Sequence, residues 1–114
     1  MNLPPLTPGP ELLRGHLDLI LLSILEGQPL YGFAIIQEAR TRTGGYFDFR
    51  EGSLYPALHR LERAGLLRAD YGEAGRNGKP RKYYALTPAG QAALAAKREE
   101  FGAFTQAVSQ LGGA

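Results

Sequence analysis

Apolar residues recur three and four positions apart early in the chain, at Leu13, Leu17, Ile20, Leu21, Ile24 and Leu25. That spacing describes one stripe of a helix, and it predicts a first helix running to Gly27, broken by Gln28 and Pro29. Tyr31, Ala34, Ile35 and Ala39 mark a second, short helix that ends near Gly44 and Gly45, followed by a loop from Tyr46 to Glu51. Leu54, Leu58 and Leu61 resume the helical spacing, and Ser53 just ahead of them is a good N-cap for a third helix. Pro56 would then stand in the first turn, where a missing N–H costs nothing. Gly65 would close that helix as the residue after its cap.

Beyond Gly65 the period changes. Leu67 to Tyr71 and Arg81 to Leu86 are short runs of strand-forming residues joined by Gly72, Gly75, Asn77, Gly78 and Pro80, the pattern of a hairpin with a loose tip. A period of two puts Tyr84 and Leu86 on one face of the second strand and Arg81 and Tyr83 on the other, toward solvent or a ligand. Thr87 as N-cap and Pro88 at the first helical position start a last helix. Leu94, Phe101, Phe104, Val108 and Leu111 continue it as nearly a heptad seam, with Lys97 in the one position that should be apolar. At the other end, Pro4, Pro5, Pro8 and Pro10 make residues 1–10 an extended or flexible arm.

A length of 114 residues, 44% of them hydrophobic, is that of one folded domain, with glycine and proline together about a fifth of the chain and below the range of low-complexity sequences. With no cysteine there is no disulfide framework or thiolate metal site, as expected for a cytoplasmic protein. The longest apolar run in the first helix is Leu19 to Leu22, too short to span a bilayer, and the expectation is no membrane association and no signal peptide. The net charge of +2 hides an uneven distribution. Residues 1–39 carry one basic side chain against four acidic, and residues 40–82 carry ten against five. The middle third is therefore the candidate polyanion-binding surface.

Three helices followed by a hairpin with a basic tip is the element order of a winged helix, whose third helix enters the DNA major groove while the hairpin follows the backbone. The expected fold class is mainly α with a β-hairpin (α+β): a winged helix-turn-helix over residues 11–86 and one long dimerisation helix over 87–114. With Leu54, Leu58 and Leu61 facing the core, Tyr55, Pro56, His59, Arg60 and Arg63 occupy the outer side of the third helix, where guanidinium and imidazole groups can donate to phosphates or base edges. The hairpin adds Arg76, Lys79, Arg81 and Lys82 within seven positions, with no acid among them.

Specific motifs support that order. Leu13-Arg14-Gly15-His16-Leu17-Asp18, Tyr31-Gly32, Gly52-Ser53-Leu54-Tyr55-Pro56-Ala57-Leu58, Arg60-Leu61-Glu62, Gly65-Leu66, Arg81-Lys82-Tyr83-Tyr84 and Leu86-Thr87-Pro88-Ala89-Gly90 together resemble the PadR-like transcriptional regulators over about residues 12–95. The family commonly has a polar residue where Pro88 stands here. The resemblance implies a cytoplasmic homodimer on a roughly palindromic double-stranded DNA operator, usually a repressor released by a small molecule. It adds Tyr31 and Ser53 to the expected DNA-contacting set. The single helix after the hairpin resembles the shorter branch of the family, whose dimer contact joins that helix to the first one. Leu17, Leu94, Phe101, Phe104, Val108 and Leu111 are the expected interface here. In relatives of that branch an aromatic residue at the position of Phe101 stacks on a flat ligand, so Phe101 is the expected contact for a planar aromatic effector.

Enzyme chemistry finds little support. His16 and His59 lie on different helices without a third ligand at metal spacing. A phosphate-loop pattern fails at Glu73, where glycine is needed, and at Pro80, which replaces Ser or Thr after Lys79. Glu99 and Glu100 point in different directions on a helix. No cofactor or metal is expected, and the competing class is a winged-helix module that binds an acidic protein instead of an operator.

Overall fold

The computed structural model describes residues 7–75 and 77–112. Its elements are α1 (Pro10–Ile24), β1 (Leu30–Tyr31), α2 (Gly32–Arg42), α3 (Glu51–Arg63), β2 (Leu67–Ala74), β3 (Pro80–Leu86) and α4 (Pro88–Gln110). The strands form one antiparallel sheet in the order β1-β3-β2, which completes a winged helix. Leu21, Leu22 and Leu25 of the α1 segment, Ile35 of α2, Leu54, Leu58 and Leu61 of α3, and Tyr84 of β3 are almost wholly buried in a single cluster. Each such side chain contributes roughly 1.5–3 kcal/mol by leaving water. Among the described residues, no helix is long and apolar enough to cross a membrane.

Besides α1 ending at Ile24 and β2 running on to Ala74, three differences from the sequence expectation bear on the site. Pro10, assigned to the arm, is the first residue of α1, with Gly9 as its N-cap. The two-residue strand β1 was not expected; Leu30 and Tyr31 pair with Tyr84 and Tyr83, and a strand that short has no period of its own. The third correction concerns α3, whose N-cap is Arg50 and not Ser53. Phe49 is buried and anchors the chain there, and the Ser53 and Leu54 N–H groups both donate to the Arg50 carbonyl. Ser53 thus stands inside the first turn, and Pro56 falls in the second turn, on the exposed side of the helix.

The ends that hold the wing in place follow the sequence signals. Gly65 takes a φ of +80°, and the N–H groups of Gly65 and Leu66 return to the Glu62 and Leu61 carbonyls, closing α3. Thr87 caps α4 by accepting from the Gly90 N–H, while its own hydroxyl donates to the Gly65 carbonyl and its N–H to that of Leu66. The start of α4 is thereby tied to the α3–β2 corner. A side chain at position 90 would overlap the Leu66 carbonyl, so only glycine permits this approach.

From that anchor α4 runs 23 residues, about 34 Å at 1.5 Å per residue, along a molecule measuring 53 × 34 × 21 Å. Leu94 is only 2% exposed and belongs to the chain's own core, which corrects its assignment to the dimer seam. Core contact and coiled-coil seam share one spacing, so sequence alone did not separate them. Leu17 packs partly against the same core. Past Leu94 the apolar positions come free: Phe104 is 60% exposed, with Phe101, Val108 and Leu111 also open to solvent.

Candidate nucleic-acid interface

Opposite the buried Leu54, Leu58 and Leu61, α3 presents an exposed ridge of Gly52, Pro56, His59 and Arg63, spaced four, three and four residues apart. Arg50 stands at the N-terminal end of this ridge and Arg63 at its C-terminal end, both exposed. Neither has a carboxylate partner among the described residues. Sequence reasoning missed Arg50 because the helix start was placed three residues too late. The N-terminus of a helix carries a partial positive charge and unpaired N–H groups, which adds to Arg50 as an attraction for phosphate.

Tyr55, Arg60 and Lys82 are turned elsewhere. The Tyr55 ring packs against α2 where a side chain at position 32 would overlap it, so Gly32 makes room for the phenol. Burial, with the nearby Glu51 charge, raises the Tyr55 pKa, and the residue spaces α2 from α3. Arg60 lies on the flank of the ridge and forms a two-pronged pair with Asp18 of α1, at 2.7 and 3.0 Å. Those hydrogen bonds outweigh the opposing effect of burial and hold the Asp18 carboxyl below its ordinary value. Lys82 shares the sheet face of Tyr84, lies over that ring at 5.3 Å and pairs with Glu62 of α3 at 3.3 Å. These contacts link the hairpin to α3 and leave the lysine less free for DNA than its place in a basic run implied.

On the opposite sheet face the Arg81 guanidinium lies 4.2 Å from the Tyr31 ring centre, and Tyr31 meets Tyr83 edge to face at 5.4 Å. Tyr31 is both part of β1 and the N-cap of α2, so this stack fastens the wing to the second helix. Lys79 is exposed in the hairpin turn, where Gly78 takes a φ of +77°. Arg76 lies outside the described residues. Tyr71, 72% exposed and opposite Lys82 in the register, is a further candidate contact.

Phe101 borders two hollows. One, about 460 Å³, lies between α1, α2 and the Tyr46–Phe47 loop and is lined chiefly by Leu12, Leu13, Ile20, Phe47 and Phe101. The other, about 690 Å³, lies between α1 and α4 and holds Asp18, Arg60, Lys97, Phe101 and Phe104. Lys97 thus breaks the apolar seam where it faces the Asp18 carboxylate, whose ionised form its charge favours. The His16 ring meets Phe101 edge-on at 5.0 Å, with Nδ1 donating to the Leu12 carbonyl.

The sequence pattern of the Transcriptional regulator PadR-like family matches residues 21–96. The chain is 40% identical over 84 residues to an uncharacterized protein of Lysinibacillus sphaericus, covering 74% of this chain and 76% of that one. It is 36% identical over 88 residues to the transcriptional regulator Rv3488 of Mycobacterium tuberculosis, covering 77% and 78%. A solved transcriptional regulator from Clostridium thermocellum is similar with a TM-score of 0.79 at 33% identity, over 88% of this chain and 96% of that one. A PadR family transcriptional regulator from Eggerthella lenta gives 0.76 at 33% identity, over 91% and 88%. The match runs from α1 through the wing into α4, and the chain belongs to the PadR-like family of transcriptional regulators.

Proposed function

We propose that this protein is a cytoplasmic homodimer that binds a roughly palindromic site on double-stranded DNA and represses transcription until a small molecule releases it. The observation that carries this reading is the exposed ridge of α3, flanked by the unpaired Arg50 and Arg63. With α3 in the major groove, His59 and Arg63 reach base edges, and Arg50, Lys79 and Arg81 meet phosphates. Membership of a family of transcriptional regulators supports a non-enzymatic role.

The winged helix of residues 11–86 serves as the DNA-binding unit and residues 87–114 as the dimerisation unit. Phe104, Val108 and Leu111 form an apolar stripe that a monomer leaves in water. A partner helix covering it brings the two Phe101 residues together across a two-fold axis, and a planar aromatic effector would insert there. Selection of bound duplexes from a random pool tests the reading. Enrichment of one site with two related halves is expected; recovery of unenriched sequence would refute operator binding.

A further inference from the structure

We infer that Asp18 is a positioning residue for DNA recognition: it draws Arg60 away from the DNA-facing ridge of α3 and so decides which side chains read the operator. The inference rests on the DNA-binding reading above. Arg60 follows His59 directly and lies one helical turn from both Pro56 and Arg63, so its guanidinium borders the ridge. Left alone, a flexible arginine at that border would swing to the nearest phosphate, adding affinity for any sequence. Asp18 prevents this with a planar two-pronged hydrogen bond from α1, a geometry that suits arginine and not lysine.

The two partners are unequally sheltered. The Asp18 side chain is 29% exposed and that of Arg60 53%, so the carboxylate is the more sheltered partner. Lys97 of α4 acts on the same carboxylate and lines the same hollow. Among the described residues Lys97 makes no ion pair with Asp18, so loss of Arg60 leaves the carboxylate without a bonded cation. Loss of Asp18, in contrast, releases a cation at the edge of the recognition helix.

Three variants of the full chain separate positioning from mere stabilisation, because all three lose the same bridge, Asp18→Asn frees a cation, Arg60→Gln frees an anion and the double variant frees neither. Binding of a random-sequence duplex and of a selected operator is measured by anisotropy over a salt series. Asp18→Asn should steepen the slope of log affinity against log salt by about 0.9 per subunit and narrow the preference for the operator. Asp18→Asn combined with Arg60→Gln, which keeps the wild-type net charge, should return the slope to the wild-type value, and Arg60→Gln alone should not steepen it. Melting curves of the three establish that each is folded.

Equal slopes for Asp18→Asn and wild type, or a slope for the double variant below the wild-type value, would overturn the inference. The second outcome would mean that Arg60 already contacts phosphate. A wild-type protein that binds no duplex would instead remove the DNA-binding reading beneath it.

Discussion

Replacing Gly90 by alanine tests the docking of α4 by the sign of its effect. Inside a helix, glycine to alanine stabilises by up to about 1 kcal/mol where space is open. At position 90 the added methyl overlaps the Leu66 backbone carbonyl, which no side-chain rotation relieves. The start of α4 must then shift, which strains three hydrogen bonds: Thr87 N–H to Leu66 at 3.1 Å, Thr87 Oγ1 to Gly65 at 2.6 Å and Gly90 N–H to Thr87 Oγ1 at 3.0 Å. At about 1 kcal/mol each, less the propensity gain, the net loss is about 2 kcal/mol. For a chain of this length that lowers Tm by about 8 °C. Gly102→Ala, in the exposed half of α4 with nothing within 4 Å of the new carbon, should raise Tm by up to about 4 °C. Thermal unfolding followed by circular dichroism reads both. A Gly90→Ala protein as stable as the Gly102→Ala one would refute the close approach of α4 to the α3–β2 corner.

Phe104→Glu places a charge on the exposed stripe of α4 and should yield monomers in sedimentation at micromolar concentration, where the wild type should sediment as a dimer. Phe101→Ala should abolish calorimetric binding of planar aromatic compounds; a Phe101 that is interface core would instead cost about 3–5 kcal/mol of stability. The bridge to Arg60 lowers the Asp18 pKa in the folded chain, so its stabilisation is complete above the ordinary value of 3.8 and is lost as pH falls through the lower folded value. The difference in urea midpoint between wild type and Asp18→Asn should therefore be steady from neutral pH into mild acid and close in stronger acid.

Helices and wing were legible because their signals are local: a three-and-four spacing, a period of two, glycine at a cap, Thr-Pro at a helix start. The start of α3 was misread because Ser53 and Pro56 both imitate a first turn, whereas Phe49, buried just before Arg50, sets the real one. Side-chain commitments were illegible for a different reason. Arg60 finds its partner 42 positions earlier in the sequence, and Lys82 bonds across from strand to helix. Such pairs exist only after folding, so a basic residue on an outer face and one already neutralised look alike beforehand. Lys97 shows the converse, since an apparent flaw in an apolar seam faces Asp18.

At the centre of the proposed function is DNA binding by the α3 ridge and the wing through unpaired basic residues. The most direct test is an anisotropy titration of wild type, Arg63→Ala and Lys79→Ala with operator and random duplexes over a range of salt. Wild-type affinity should fall linearly in log salt, and Lys79→Ala should reduce that slope by about one and weaken both duplexes alike. Arg63→Ala should weaken the operator more, by about 1–3 kcal/mol. Wild-type binding that ignores salt, or that both substitutions leave unchanged, would contradict the claim.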